Sequence, residues 1–201
     1  MSAHLYIEGS RTGAHSKEAQ IRCREGFRRL IENAGFSGRM PRLSACGGRS
    51  ATFHDFQVAL SKQSEGDYIA MLIDSEDRPL DIEKTWAHLK IRDSWQKPVK
   101  AGDDQVLFMT TCMETLILAD RAALQKHYGH KLQENALPPL NDLESRDRHD
   151  VHDKLVNATR DCSNAYAKGT RSFEVLGVLN PSTLASLPSF ARAVRILNEK
   201  L

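Results

Sequence analysis

The chain has 201 residues, 40% hydrophobic and 27% charged, enough to bury one substantial core or a domain with a smaller appended lobe. Lys and Arg number 28 against 26 Asp and Glu, a net charge of +2, so no overall basic field argues for nucleic acid, although "RCREGFRR" gathers positive charge locally. No apolar run is long enough to span a bilayer, and the first residues enter a strand pattern without signal-peptide features, so a cytoplasmic protein with no membrane partner is expected.

In chain order, "HLYIEG" (4–9) predicts a short buried strand closed by a glycine. Residues 16–35 carry Ile21, Phe27, Leu30 and Ile31 on a surface helix that stops at Gly35. "PRLSACGG" (41–48) predicts a second strand running into a glycine loop, and 50–62 a second helix with Ser50 as its N-cap. "DYIAMLID" (67–74) is the strongest strand pattern and is followed by a helical segment around 85–89. "QVLFMTT" (105–111) predicts a fourth strand, and 112–129 a helix ending at Gly129. Strand and helix thus alternate four times, which predicts an α/β fold: a mostly parallel sheet flanked by helices over residues 1–134. After Pro138-Pro139 the pattern becomes helical and strand-poor, so 135–201 is read as a helical C-terminal extension packed on the sheet. The four cysteines are widely spaced without a CxxC pair and are expected to be buried reduced thiols.

The acids at strand ends carry the chemistry. Glu8 closes the first strand, and Asp74 and Glu76 follow the third in "LIDSE". In a parallel sheet both lie at the carboxyl edge, where ligands of such folds gather. If Asp-Ser-Glu is extended, its i and i+2 side chains point the same way, so three acids can share one divalent cation. Mg²⁺ and Mn²⁺ favour such hard oxygen donors. The alternative is acids that merely end strands in water.

Glu-Gly after a first strand, with Asp-x-Glu after a later one, resembles the TOPRIM domain of topoisomerases, primases and OLD-type nucleases. More closely, "YIEG", "CREGFRRL", "PRLSACGGRSATFHDF", "LIDSED", "CMETLILAD" and "AYAKGTRSFEVL" together resemble a small bacterial TOPRIM-like family, domain-of-unknown-function family four-two-seven-six, often encoded beside an ATPase. The resemblance runs over about residues 4 to 185. It implies Glu8 as an acid/base or metal-binding residue and Asp74 and Glu76 as ligands of Mg²⁺ or Mn²⁺, with Glu in place of the commoner Asp at position 76. It implies a nucleic-acid substrate, DNA or RNA, and an ATPase partner in phage defence.

Other candidates each have a plain alternative. Glu114, in the first turn of the helix after the fourth strand, is either a further metal ligand or a complement to the helix dipole. Asp120, nearly two turns on, reads as a surface or helix-pairing residue. Gly47, Gly48, Arg49 and Ser50 form either a phosphate cradle at a helix N-terminus or a tight turn, and lack the spacing of a P-loop. Lys168 and Arg171 lie in a loop ahead of a short apolar segment, and Lys168 either offsets phosphoryl charge or is solvated. "RDRHDVHD" (146–153) reads as a charged solvated helix, since its histidines are not spaced as in HExxH. The expected function is metal-dependent phosphodiester cleavage by Glu8, Asp74, Glu76 and Lys168. The rival is a non-catalytic binding or regulatory subunit of an ATPase complex. Self-association is left open by the sequence.

Overall fold

A computed structural model describes residues 2–9 and 16–201. Four strands, β1 (Ala3–Ile7), β2 (Arg42–Ala45), β3 (Tyr68–Asp74) and β4 (Val106–Met109), form a sheet of order β2-β1-β3-β4 with every pair parallel. Ile7 lies opposite both Ala45 and Leu72, and Asp74 lies opposite Met109. All four strands therefore end at one edge. The α/β architecture expected from the alternation of elements is the one found.

Strand alternation sorts the core into two layers. Leu5, Ile7, Ala70, Leu72, Leu107 and Met109 face one cluster, and Ile69, Met71, Ile73, Val106 and Phe108 face the other. The second layer is covered by α2 (Arg49–Ser61), which buries Phe56 and Leu60, and by α3 (Thr85–Asp93), which buries Trp86 and Leu89. The first layer is covered by α1 (Ser16–Ile31), α4 (Met113–Ala119), α5 (Arg121–Tyr128), α6 (Arg148–Thr159), α7 (Thr170–Leu176) and α9 (Pro188–Lys200), with the short α8 (Pro181–Leu184) between the last two. Apolar residues of 135–201, among them Leu143, Val151, Leu155, Phe173 and Leu197, belong to the same core cluster as Leu5, Ile7 and Leu72.

Some elements depart from expectation. The helix expected over 16–35 gives way after Ile31 to a wider turn containing Gly35 at φ +97°. The helix expected over 112–129 is two, because Asp120 breaks it. Asp120 is buried, caps α5 through the Ala123 N–H at 3.0 Å and accepts the Asn180 N–H at 2.7 Å, so it is a buried helix-end acceptor and not a surface residue. The apolar segment after Lys168 is α7, which packs on α1. Gly26 permits that approach, since a Cβ there would run into the Phe173 carbonyl.

β4 is an edge strand, and α9 covers it. Buried Arg192 of α9 donates to the carbonyls of Val106 at 2.9 Å and Asp103 at 2.8 Å, and pairs with Glu83 at 2.9 Å. Arg192→Ala takes the guanidinium donor from the Val106 carbonyl, while the Asp103 carbonyl keeps the Thr85 hydroxyl and the Val106 N–H. It is expected to lower stability by about 2 kcal/mol, the cost of one unsatisfied buried acceptor and of the lost packing of the buried side chain, with the pair to exposed Glu83 discounted. Urea unfolding of the two proteins measures it, and an unchanged midpoint refutes this role.

Candidate functional site

The backbone brings two carboxylates together before any side chain is considered. The Glu8 N–H donates to the Leu72 carbonyl at 2.9 Å, continuing the β1–β3 ladder past the strand. Gly9 then donates to the Gly47 carbonyl at 3.1 Å. A Cβ on Gly9 would lie 2.6 Å from the Cys46 carbonyl oxygen, so only glycine lets the two loops run this close. In this frame the Asp74 N–H donates to Glu8 Oε2 at 3.2 Å, joining residues 66 apart in sequence. Asp74 Oδ1 accepts the Met113 N–H at 2.8 Å, at the first turn of α4. Glu114, in the same turn and buried, accepts the Tyr166 hydroxyl at 2.5 Å and lies 3.6 Å from Lys168 Nζ.

These acids are short of positive charge. Burial pushes the Asp74 carboxyl well above the usual carboxylate range, Glu8 and Glu114 add to the rise, and Lys168 and the Met113 N–H oppose it only in part. Burial likewise raises Glu8, against the pull of Arg49 and of the Asp74 N–H.

Glu76 is placed apart from this pair. Its φ of +69° puts it in the left-handed region, so the chain turns out of the strand and the extended Asp-Ser-Glu path expected from sequence is not taken. Its N–H donates to the Thr111 carbonyl at 2.7 Å, and its carboxylate pairs with Arg148 and, at 3.3 Å, with Arg92.

The glycine loop is also tied inward. α2 begins at Arg49 with Gly48 as N-cap, one residue earlier than expected, so Ser50 lies in the first turn and does not cap it. Arg49 grips Asp93 through two bonds, of 3.1 and 2.7 Å, donates to the Asp74 carbonyl, and lies over the Trp95 ring at 5.1 Å. Its Nη1 lies 3.8 Å from Glu8 Oε2. Arg49 thus buttresses the acid pair, with Gly47 spent on the Gly9 contact. Lys168 is exposed, and Arg171 donates to the Ala165 carbonyl at 3.0 Å. In "RDRHDVHD", Asp147 caps α6 and His149 is exposed, while His152 lies edge-on to Tyr166, 5.9 Å between ring centroids.

Sequence reasoning missed Arg92, Asp93, Trp95, Arg148 and Tyr166. A signal existed for Arg148, since an excess of acids at the edge requires cations, but nothing in the spacing says that α6 would supply one.

The donor set bears on a metal. Among the described residues no group of three or more His, Cys, Asp or Glu converges as a ready-made cage. Glu8 and Asp74 each use one oxygen on a backbone N–H, and among the described residues their other oxygens take no hydrogen bond. Mg²⁺ is commonly held by one or two carboxylates with waters and substrate phosphate oxygens completing the shell, and a pair of under-compensated acids fits that pattern.

Fold and site define an α/β protein with a buttressed acid pair at the carboxyl edge of a parallel sheet. A family model matches residues 18–198, and the chain belongs to that family, the domain of unknown function DUF4276. The match includes Asp74, Glu76, Glu114 and Lys168, and Glu8 lies just ahead of it. Comparison with curated proteins and with solved structures gave no match. No helix among the described residues is long and apolar enough to cross a membrane.

Proposed function

We propose that the chain is a Mg²⁺- or Mn²⁺-dependent nuclease that cleaves phosphodiester bonds, acting with an ATPase partner in defence against phage. The observation that carries the reading is the Glu8–Asp74 pair: two carboxylates from adjacent strand ends, oriented by backbone N–H groups and both raised in proton affinity. The TOPRIM resemblance of the sequence supplies the reaction class and the partner. Glu8 and Asp74 would hold the ion, with Glu114 behind them. When bound, the ion supplies Lewis-acid polarisation of a phosphoryl oxygen and a more acidic water.

The chain's own residues do the rest. The Met113 and Asp74 N–H groups fix the two carboxylates in advance, so little reorganisation is needed when substrate arrives. The Glu8 oxygen left free by the Asp74 N–H is available either to the ion or to a proton released by the attacking water. Lys168, 3.6 Å from Glu114, adds an exposed cation whose charge is felt at Asp74.

The binding-subunit reading has one observation in its favour. Arg49, Arg92 and Arg148 already engage acids of this edge internally, as a scaffold without turnover would. The experiment that separates the two is turnover of labelled single-stranded DNA, duplex DNA and RNA with Mg²⁺ or Mn²⁺, with and without the ATPase. Metal-dependent cleavage is the expected result, and a partnered complex indifferent to Asp74→Asn establishes the scaffold. In the same assay Lys168→Ala is expected to slow cleavage about tenfold, a partial loss of charge stabilisation by an exposed group. His149→Ala is expected to leave it unchanged.

A further inference from the structure

We propose that Arg92 and Arg148 form a receiving site for a backbone phosphate of the nucleic acid, and that the Glu76 carboxylate holds this site as an internal stand-in until substrate displaces it. The inference rests on the nuclease reading and adds to it the residues that grip the substrate.

Three arginines from three elements reach the carboxyl edge, and they are not equivalent. Arg49 is fully committed: two bonds to Asp93, a carbonyl and an aromatic face occupy it. Arg92 is spread over three acids, Glu76, Asp77 and Asp93, and satisfies none through a paired fork. Its Nε lies 3.3 Å from Asp77 Oδ2 and yet, although buried, makes no hydrogen bond. Arg148 has Glu76 as its acidic partner and touches His149 Nε2 at 3.3 Å, and its side chain is 36% exposed. Two guanidiniums with unspent donors thus meet on one carboxylate at the rim of the site.

Phosphate suits that position chemically. A guanidinium fork accepts the paired oxygens of a carboxylate and of a phosphate in the same way, so one can replace the other without rebuilding the site. The exchange is neutral in charge at this point, and a polyanion gains in addition the release of its counterions. Place favours it too. Glu76 is two residues from Asp74, on a left-handed turn outside the ladder, so a phosphate on Arg92 and Arg148 lies at the same sheet edge as the carboxylate pair. It also explains why an acid placed by sequence among the ligands is found facing arginines.

The test is binding by fluorescence anisotropy, in EDTA so that neither cleavage nor metal contributes, with labelled 20-nucleotide single-stranded DNA, its duplex and the matching RNA. Arg148→Ala and Arg92→Ala are each expected to weaken binding about tenfold and to reduce the salt slope by about one. Glu76→Gln is expected to tighten binding about tenfold, because the internal competitor has lost its charge. Arg160→Ala, at the far end of α6 and about 18 Å away by helical rise, is the control and is expected to bind as wild type. Arg92→Lys replaces Arg92→Ala should the latter not fold, and is expected to lose affinity because the fork is gone. Ranking of the three probes identifies the kind of nucleic acid. Arginine variants that bind with wild-type affinity and slope, a Glu76→Gln variant that binds no better, or a wild type that binds none of the probes would each overturn the proposal. Cleavage by wild type with no arginine dependence of binding removes the phosphate site alone. Arginine-dependent binding without cleavage removes the nuclease reading alone.

Discussion

Asp74→Asn and Glu8→Gln are each expected to lower the proposed phosphodiester cleavage by about 1000-fold or more while leaving association with the proposed ATPase partner intact. A thousandfold corresponds to about 4 kcal/mol of transition-state stabilisation, the order expected when a principal charged group of such a site is lost. Both changes are nearly isosteric. Asn keeps an oxygen for the Met113 N–H, and Gln keeps one for the Asp74 N–H, so the backbone frame that sets the site should survive. Loss of activity with normal partner pull-down and normal melting is the expected combination. If both variants cleave at wild-type rates, the chemistry lies elsewhere in the chain.

The second large effect is on stability. Asp74 and Glu8 have proton affinities raised on folding, so the folded chain holds more protons than the unfolded one between the unfolded values, near 4, and the raised folded values. Their contribution is therefore most favourable below about pH 4 and becomes a penalty as pH rises through the folded values. Asp74→Asn removes the larger penalty. The variant should match wild type in acid and exceed it as pH rises above about 4, in metal-free buffer. Added Mg²⁺ should narrow the gap by stabilising wild type more than the variant. At tenfold excess over Kd a ligand stabilises by about 1.4 kcal/mol, and this gain should shrink in the variant. Thermal melts across pH with EDTA or Mg²⁺ check both signs, and a variant that keeps the full Mg²⁺ response refutes the assignment of Asp74.

The fold was legible because the strands are hydrophobic and helices such as α1 and α9 are amphipathic. "YIAMLID" supplies both core layers by alternation, and parallel pairing then puts Glu8 and Asp74 on one edge without further information. What was not legible depends on backbone detail or on distant packing. The positive φ of Glu76 reverses the direction that an extended segment would give its side chain, and no residue type at position 76 announces it. Asp120 reads from sequence as either a surface or a helix-pairing residue, because its partner, the Asn180 N–H, comes from 60 residues away. Arg148 and Tyr166 enter the edge only because α6 and the loop after it fold back over α4, and a charged stretch such as "RDRHDVHD" has the same composition whether it faces water or an acid.

The most direct measurement is a crystal soaked in Mn²⁺ and recorded at a wavelength where manganese scatters anomalously. A peak is expected between Glu8 and Asp74, with carboxylate oxygens about 2.0–2.6 Å away. A peak only at other acids, or none with Glu8 and Asp74 still joined through the Asp74 N–H, contradicts it.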